Sequence, residues 1–276
     1  MIEIGKNNVL KVLRHKSVGV YLGDNEGNDV LLPNKYVPEN IEVDDEIDVF
    51  IYKDSEDRIV ATTLEPKIKL NEFACLQVKE VNKFGAFLDW GLEKDLLLPF
   101  SEQNTRMQKD ELIVVYLFLD EKTGRLAAST KIKKYCDNEK ITVEINEKIE
   151  LLVFEKTDLG VNVIINSLHI GLIYHNEIFK KIKVGEKLQG FVKNIREDNK
   201  IDVSIQKQGY ENIEPNAKKI LLELENNKGF LALNDKSDPI QIKSVLEMSK
   251  KTFKKSIGSL YKQKIIRIEK DGIYLL

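Results

Sequence analysis

Alternation of apolar and polar residues predicts β-strands over most of the first 207 residues of the chain. The clearest stretch, Lys83–Gly91, places Phe84 and Phe87 on either side of Gly85 and the alanine that follows it. The pattern predicts a strand that presents aromatic side chains. Gly85 would let either a ligand or another backbone come close to that strand.

Two further strands are predicted after this stretch, Leu112–Leu119 and Leu126–Ser129, joined by the turn Asp120–Arg125. Together with the apolar run Asp95–Glu102 they complete a set of five strands in about sixty residues, connected mostly by tight turns. This arrangement is typical of a small Greek-key barrel of the OB type.

The same pattern recurs on both sides, where Gly85 is matched by Gly19 upstream and by Gly160 downstream. The intervals between these glycines, 66 and 75 residues, have the size of a small domain and exceed the periods of solenoid repeats. We therefore predict three consecutive barrels, over residues 1–65, 66–140 and 141–208. The strands predicted in the outer two barrels include Ile47–Tyr52, Ile59–Thr62, Lys187–Ile195 and Ile201–Ile205.

After residue 208 the apolar residues follow helical spacing. Pro215 and Pro239 each open a predicted helix, and Ser249 caps a third helix over Lys250–Lys262. The Asp271-Gly272 pair is a turn signal between two alternating segments and predicts a hairpin. Three helices followed by a hairpin are the winged-helix plan. The predicted fold is therefore mainly β, with three five-stranded OB-fold barrels and a C-terminal α+β winged-helix domain over residues 209–276.

The composition is that of a globular protein, with 276 residues of which 42% are hydrophobic and 32% charged. The formal net charge of −2 excludes a uniformly basic nucleic-acid binder, so any basic patch must be local. Residues 209–276 hold 13 basic and 9 acidic residues, and their net charge of +4 contrasts with −6 over residues 1–208. A polyanion would be drawn to the C-terminal domain.

The residues that usually carry catalysis or bind metals are sparse. Cys75 and Cys136 have no metal-ligand spacing, and neither do the 3 histidines. The sequence has no glycine-rich phosphate loop and no nucleophile elbow, so we predict no enzymatic activity, no metal and no cofactor. The start of the chain lacks a signal-peptide pattern, and no apolar run reaches the length of a membrane span. We expect a soluble, cytoplasmic protein without membrane association.

The third predicted helix of the C-terminal domain has one apolar face, made by Phe253, Ile257 and Leu260. An adjacent sector is rich in lysine, and phosphate is the natural counter-ion for such a row. A solvated helix face is the alternative interpretation, which basic residues in the hairpin make less attractive. The nucleic-acid-binding candidates of this domain are Lys250, Lys251, Lys254, Lys255, Lys262 and Arg267.

Residues 83–89, Lys-Phe-Gly-Ala-Phe-Leu-Asp, together with the acidic and basic residues near the last strand, resemble the S-one RNA-binding domain. The resemblance implies that Phe84, Phe87, Asp120 and Arg125 line a nucleic-acid face. The third-strand histidine of that family is replaced here by Pro99. Because bases stack well on the strand aromatics of OB folds, we predict that Phe84 and Phe87 are exposed for stacking.

The third barrel has a different set of candidate residues. It places Tyr174 where the S-one family has its histidine, with His175 beside it, but has Leu159 and Asn162 in place of the two phenylalanines. Its further candidates are the basic residues Lys193, Arg196 and Lys200.

Three such barrels followed by a winged helix that contains the segment Ser249–Lys262 resemble the conserved virulence factor B family of bacteria. The resemblance implies a non-enzymatic RNA-binding regulator of virulence-gene expression. From the OB barrels and the basic winged helix we predict that its partner is single-stranded RNA. One alternative is a transcription regulator that reads duplex DNA with the winged helix. The third helix argues against this alternative, because it contains no Arg, Asn or Gln before Gln263 that could read base edges. The other alternative is a protein-interaction adaptor whose barrels have lost their ligand face, which the acidic body and the missing histidine favour.

Overall fold

A computed structural model describes residues 1–178, 181–206 and 214–276 of the chain. The chain divides into two compact units, Met1–Val203 and Ser204–Leu276, called here the barrel unit and the winged-helix unit. Three groups of five strands make up the barrel unit.

The strands of each barrel follow one another along the chain. The first barrel consists of β1 Asn7–Lys16, β2 Gly19–Gly23, β3 Asp29–Pro33, β4 Glu46–Lys53 and β5 Ile59–Thr62. The second consists of β6 Phe73–Asn82, β7 Gly85–Asp89, β8 Leu96–Pro99, β9 Leu112–Asp120 and β10 Arg125–Ser129. The third consists of β11 Lys148–Lys156, β12 Gly160–Ile165, β13 His169–Tyr174, β14 Lys187–Ile195 and β15 Ile201–Ser204.

The first and third barrels are closed. The first has the order β1-β2-β3-β5-β4, in which β3 runs parallel to β5, and the third repeats it as β11-β12-β13-β15-β14. In the second barrel, which the structure describes throughout, β8 and β10 lie side by side but do not pair in a ladder. Its sheet therefore has the order β10-β9-β6-β7-β8. A short 3-10 turn follows the third strand of each barrel, at Asn34–Tyr36, Phe100–Glu102 and His175–Glu177.

The equivalent glycines of the three barrels each begin the second strand. Their φ angles are 152°, 149° and 159°, which favour glycine, for Gly19, Gly85 and Gly160. A side chain at any of them would collide with a backbone carbonyl of the third strand, at Leu32, Leu98 or Ile173. Gly85 therefore makes room for the neighbouring backbone and not for a ligand, which decides between the two predicted roles.

Strand alternation determines which side chains fill the barrels and which face outward. On β7, Ala86 and Leu88 are fully buried, whereas Phe87 and Asp89 on the other face are half-buried. On β8, Leu96 and the residue two positions later are likewise buried. The outer face of the β7–β8 pair is thus available for binding.

The three barrels pack on one another through apolar contacts. The Trp90 ring of the second barrel lies edge-on to two rings of the first, with centroids 5.9 Å from Phe50 and 6.3 Å from Tyr52. A smaller cluster that includes Val114 and Ile164 joins the second and third barrels. Burial of such side chains gives roughly 1.5–3 kcal/mol each, so the barrels form one packed unit.

The winged-helix unit consists of three helices and a small sheet. The helices are α1 Pro215–Asn226, α2 Pro239–Leu246 and α3 Lys250–Lys262, and the strands are β16 Phe230–Leu231, β17 Ile266–Ile268 and β18 Ile273–Leu275. The sheet order is β16-β18-β17. Asp238 caps α2 by accepting a 2.7 Å hydrogen bond from the Ile240 N–H, and Ser249 caps α3 through the Thr252 N–H at 3.1 Å. Both helix starts follow from side chains visible in the sequence.

The fold class predicted from the sequence is confirmed. The bounds of β5, β14 and α3 are those that the sequence predicts, and β15 ends at Ser204, one residue earlier than expected. The domain boundaries near residues 65, 140 and 208 stay predictions.

Candidate nucleic-acid interface

The outer side of the second barrel carries three aromatic side chains, Phe84, Phe87 and Phe100, called here the aromatic patch. Phe84, in the turn before β7, is 61% exposed, and Phe100, in the turn after β8, is 49% exposed. Phe87 is half-buried on β7, opposite Leu97 of β8. Because Gly85 pairs with Pro99, the turns that hold Phe84 and Phe100 lie at the same end of the strand pair. Open aromatic rings on an OB fold can stack on nucleobases.

A cation accompanies the most exposed ring of the aromatic patch. The Lys83 ammonium lies 5.1 Å from the centroid of the Phe84 ring, within cation–π range. A base stacked on Phe84 would therefore have a positive charge close to its phosphate.

The other two residues that the S-one resemblance implies in this barrel make contacts within the protein. The Asp120 carboxylate accepts hydrogen bonds from the Thr123 hydroxyl at 2.9 Å and the Lys122 N–H at 3.0 Å, which lower its pKa. The Arg125 guanidinium forms an ion pair with Asp57 of the first barrel and holds the pKa of that carboxyl below its usual range. Asp120 thus stabilises its own turn, and Arg125 links two barrels.

A groove of about 850 Å³ crosses the outer face of the third barrel, and we call it the third-barrel groove. Leu159, Asn162 and Tyr174 line one side of it, and the segment between the second and third barrels lines the other through Lys133 and neighbouring residues. Since Asn162 occupies the position of Phe87, this groove is the counterpart of the aromatic surface on the second barrel.

Tyr174 and Arg196 meet in the third-barrel groove. The guanidinium carbon lies 5.7 Å from the centroid of the tyrosine ring, and the guanidinium donates to the tyrosine hydroxyl. Arg196 also donates twice to Asp202, from Nε at 3.0 Å and from Nη2 at 2.8 Å. The hydrogen bond to Asp202, followed by that to Tyr174, raises the pKa of Arg196. The arginine therefore carries a fixed positive charge beside an aromatic ring.

The remaining candidates of the third barrel are also engaged. Lys193 pairs with Glu177, a buried carboxylate, at 2.5 Å. Lys200 pairs with Asp198 at 2.6 Å, and the His175 ring nitrogen Nε2 lies 3.1 Å from the Thr157 carbonyl oxygen. Of the five candidates in this barrel, the groove brings together Tyr174, Arg196 and Lys200.

The first barrel presents a covered aromatic side chain. Tyr21 lies on β2 at the position of Phe87, and the guanidinium carbon of Arg14 lies 4.3 Å from its ring centroid. Arg14 is fixed there by an ion pair with Asp29 at 2.5 Å. This barrel therefore offers less open ring surface than the second.

Helix α3 presents the predicted lysine row opposite a buried face. Phe253, Ile257 and Leu260 are buried in the core of the winged-helix unit, as the spacing predicts. Two of the lysines contact the unit itself, because Lys250 donates to the Lys236 carbonyl at 3.3 Å and Lys255 pairs with Glu214 at 2.6 Å. Within the part of the chain that the structure describes, three exposed lysines of this helix form no ion pair, namely Lys251, Lys254 and Lys262.

Arg267 belongs to the hairpin that follows α3. Its guanidinium carbon lies 4.3 Å from the centroid of the Tyr274 ring, and an ion pair with Glu269 measures 3.5 Å. The Tyr274 hydroxyl donates to Asp271 at 2.5 Å, which raises the pKa of the tyrosine. The stacked guanidinium is fixed on the surface of the hairpin and is half exposed.

Sequence reasoning did not identify Phe100 as an exposed residue or the acidic partners of the candidate cations. The signal that could have identified Phe100 is its position as an aromatic residue directly after Pro99. Asp198 lies close enough in sequence to Lys200 to be found from charge pattern, whereas the Asp57–Arg125 pair joins residues that only the packing of two barrels brings together.

Family comparisons agree with this architecture. The S1 domain model matches residues 4–64 and again residues 72–131, which hold the first and second barrels. A model described as a CvfB-like winged helix domain matches residues 218–275. "Conserved virulence factor B" of Staphylococcus aureus (strain USA300) is 28% identical over 249 residues, which cover 86% of this chain and 81% of that protein. These matches support the conserved virulence factor B family.

Other relatives extend the comparison over nearly the whole chain. "Uncharacterized protein YitL" of Bacillus subtilis (strain 168) is 27% identical over 286 residues, which cover 98% of this chain and 93% of that protein. A solved multidomain protein with nucleic acid binding domains, from Streptococcus pneumoniae TIGR4, shares 25% identity over 99% of this chain and 98% of its own, with a TM-score of 0.47.

The matched domains, S1 and winged helix, are nucleic-acid-binding types and not catalytic ones, which indicates nucleic-acid binding. Across residues 1–178, 181–206 and 214–276, no group of three or more His, Cys, Asp or Glu side chains could hold a metal ion. None of the helices described is long and apolar enough to cross a membrane. Both cysteines are free thiols, and burial raises the pKa of Cys136 to about 12.

Proposed function

We propose that the protein binds single-stranded RNA and regulates gene expression after transcription. The observation that carries this proposal is the aromatic patch, because Phe84 and Phe100 expose their rings on the outer face of an OB fold. Bases can stack on such rings only when they are free of a duplex, and each stacked base contributes roughly 1–3 kcal/mol. The patch therefore favours a single strand over a double helix.

The lysine row of α3 is proposed as the main phosphate contact. Lys251 and Lys254 are exposed near the start of a capped helix, where the helix dipole adds to their own charge. Lysine attracts phosphate as a point charge and lacks the planar fork that reads a guanine edge. Binding through this helix should be strong and weakly dependent on base sequence. Lys250, Lys255, Lys262 and Arg267 are proposed to support it.

The third barrel is proposed to cooperate with the winged-helix unit in holding the RNA. Its groove offers the ring of Tyr174 and the fixed charge of Arg196 side by side, with Lys200 at the rim. His175 and Lys193 are proposed to act less directly, because each is engaged with a group of its own barrel. Together these residues would follow the backbone of one strand.

The regulatory part of the proposal rests on the family. Relatives in Staphylococcus aureus are named conserved virulence factor B, and we propose that this chain likewise influences the expression of virulence genes through RNA. The proposed action is binding alone, since the domains that match are of nucleic-acid-binding types.

The experiment that tests the proposal compares the affinity of the full chain for single-stranded RNA, single-stranded DNA and duplex DNA of equal length over a range of salt concentrations. We expect the order single-stranded RNA, then single-stranded DNA, then duplex DNA, with affinity that falls as salt rises. Tightest binding to duplex DNA would instead support a transcription regulator that uses the winged helix. Binding to none of the three would support a protein-interaction adaptor.

A further inference from the structure

A second depression, of about 710 Å³, lies between the second and third barrels, and we call it the inter-barrel cleft. One wall comes from the second barrel and the segment that follows it, including Lys131, Lys133 and Lys134. The other wall comes from the end of β11, including Phe154 and Lys156. The cleft includes none of the three residues of the aromatic patch, and it shares Lys133 with the third-barrel groove.

Phe154 is brought to the cleft by a β-bulge. The register between β11 and β12 shifts between Val153 and Glu155, so Phe154 stands between the two paired residues without a cross-strand partner. Bulges redirect a side chain from its regular strand position. The half-buried Phe154 ring consequently lines the inter-barrel cleft.

Two of the lysines in the cleft have ammonium groups available to a ligand, and the other two contact neighbouring groups. Lys131 donates to the Ser101 carbonyl, and the Lys134 ammonium lies 5.2 Å from the Tyr135 ring centroid and 3.7 Å from Glu102. Over the ranges that the structure describes, Lys133 and Lys156 form no ion pair, and both are exposed.

The acidic side chains in the same cleft only partly offset this charge. Glu155 accepts a hydrogen bond from the Asn162 amide at 2.8 Å, and Glu111 accepts one from the Gln108 N–H at 2.9 Å. Both carboxylates thus have partners other than the cleft lysines. With four lysines against two glutamates, the cleft suits an anionic ligand.

Lys133 connects the two depressions. Its side chain lines the inter-barrel cleft and also the third-barrel groove. A strand that leaves the groove at this lysine would enter the cleft directly. An aromatic ring beside a line of cations is the combination with which OB-fold proteins hold a single strand.

We propose that single-stranded RNA bound in the third-barrel groove continues past Lys133 into the inter-barrel cleft, where Phe154 stacks on a base and Lys133 and Lys156 contact phosphates. This inference rests on the proposed function and extends its binding path beyond one barrel. Its consequence is a dependence on RNA length, since a short oligomer fills the groove alone and a longer one reaches the cleft.

The test measures the affinity of the full chain for oligouridylates of about 4 and about 16 nucleotides, the limits of OB-fold site sizes, by fluorescence anisotropy at several salt concentrations. The cleft variants are the double substitution Lys133→Gln/Lys156→Gln and the single substitution Phe154→Leu, which keeps apolar bulk. The matched control is Lys140→Gln/Lys148→Gln, which removes two exposed lysines that line neither depression.

We expect the wild-type chain to bind the longer oligomer more tightly. The lysine variant should lose affinity for the longer oligomer and flatten its log-affinity versus log-salt slope by about 1.4, about 0.7 for each lost contact. Phe154→Leu should weaken binding of the longer oligomer roughly tenfold and change binding of the short one no more than the control does. Because Lys133 also lines the third-barrel groove, the lysine variant should cost the short oligomer one contact at most, a slope change of about 0.7. Equal affinity of the wild type for both lengths, or variants that match the control, would overturn the inference and leave the proposed function standing. Failure of the wild type to bind either length would overturn the proposed function itself.

Discussion

Arg125 of the second barrel forms an ion pair with Asp57, which lies in the turn between β4 and β5 of the first barrel. The S-one resemblance implies that Arg125 lines the nucleic-acid face, yet its guanidinium is committed to a neighbouring barrel. The Asp57–Arg125 ion pair therefore links the first two barrels and at the same time keeps the Arg125 charge from a nucleic-acid ligand. Both side chains are about half exposed, so water and salt weaken the attraction.

The stability of the barrel unit should depend on the ionisation of Asp57. The hydrogen bond from Arg125 lowers the pKa of Asp57 in the folded state below its unfolded value of about 3.9. The stabilisation is therefore present above the unfolded pKa and is lost as pH falls through the folded pKa. Thermal unfolding of wild type and Asp57→Asn at neutral pH should show a small decrease in Tm for the variant. That difference should shrink in acid and in high salt. A difference that grows in acid would contradict this assignment.

Release of Arg125 should strengthen RNA binding. In Asp57→Asn the guanidinium loses its anionic partner and becomes available to a phosphate, which should steepen the log-affinity versus log-salt slope by about 0.7. The control is Asp57→Asn combined with Arg125→Gln, in which the gain should disappear. If the single and double variants have the same slope, Arg125 does not contact the nucleic acid.

The aromatic patch should contribute stacking energy. Replacing Phe84 and Phe87 by Ala should weaken single-stranded RNA binding by about 5- to 150-fold for each base that loses its stacking partner. A matched control is Val43→Ala/Ile59→Ala, which truncates two exposed apolar side chains of the first barrel. Titration of fluorescent RNA checks the affinities, and thermal unfolding checks that both variants fold. A folded Phe84/Phe87 variant with unchanged affinity would show that the patch is only a surface cover.

Much of the architecture follows from local sequence signals, whereas the site depends on contacts between distant segments. The Ser249 cap and the apolar spacing define α3, and the recurring glycines at positions 19, 85 and 160 reveal three equivalent barrels. No local signal could show that Arg125 meets Asp57 or that Lys193 meets Glu177, because these pairs form only when strands and turns from different parts of the chain pack together.

Exposure was equally difficult to predict. Tyr21 and Phe87 occupy equivalent strand positions, but an arginine covers only the tyrosine ring at the distance of a stacking contact. The alternation of the strand predicts that both face outward. Whether a neighbouring side chain then lies over the ring depends on rotamers and on local ion pairs, here the pair between Arg14 and Asp29.

The lysine row of α3 should act as a phosphate clamp with little base selectivity. Replacing Lys250, Lys251, Lys254 and Lys255 by Gln should flatten the salt slope by about 0.7 for each lost contact, equally for all single-stranded sequences. Lys251→Gln/Lys254→Gln should account for most of the effect, because the other two lysines already contact Lys236 and Glu214.

The control for the lysine row is Lys228→Gln/Lys243→Gln, which removes two exposed lysines of the same unit outside α3. It should leave the salt slope close to that of the wild type. An unchanged slope in the quadruple variant, or a loss confined to one RNA sequence, would show that α3 is a solvated face.

Photo-crosslinking of a single-stranded RNA that contains 4-thiouridine, followed by identification of the crosslinked peptides, tests the central proposal most directly. We expect crosslinks to peptides that hold the aromatic patch around Phe84 and Phe87 and to the peptide that holds Tyr174. We also expect single-stranded RNA to compete them away more effectively than duplex DNA of equal length. Crosslinks confined to other surfaces, or more effective competition by the duplex, would contradict the account.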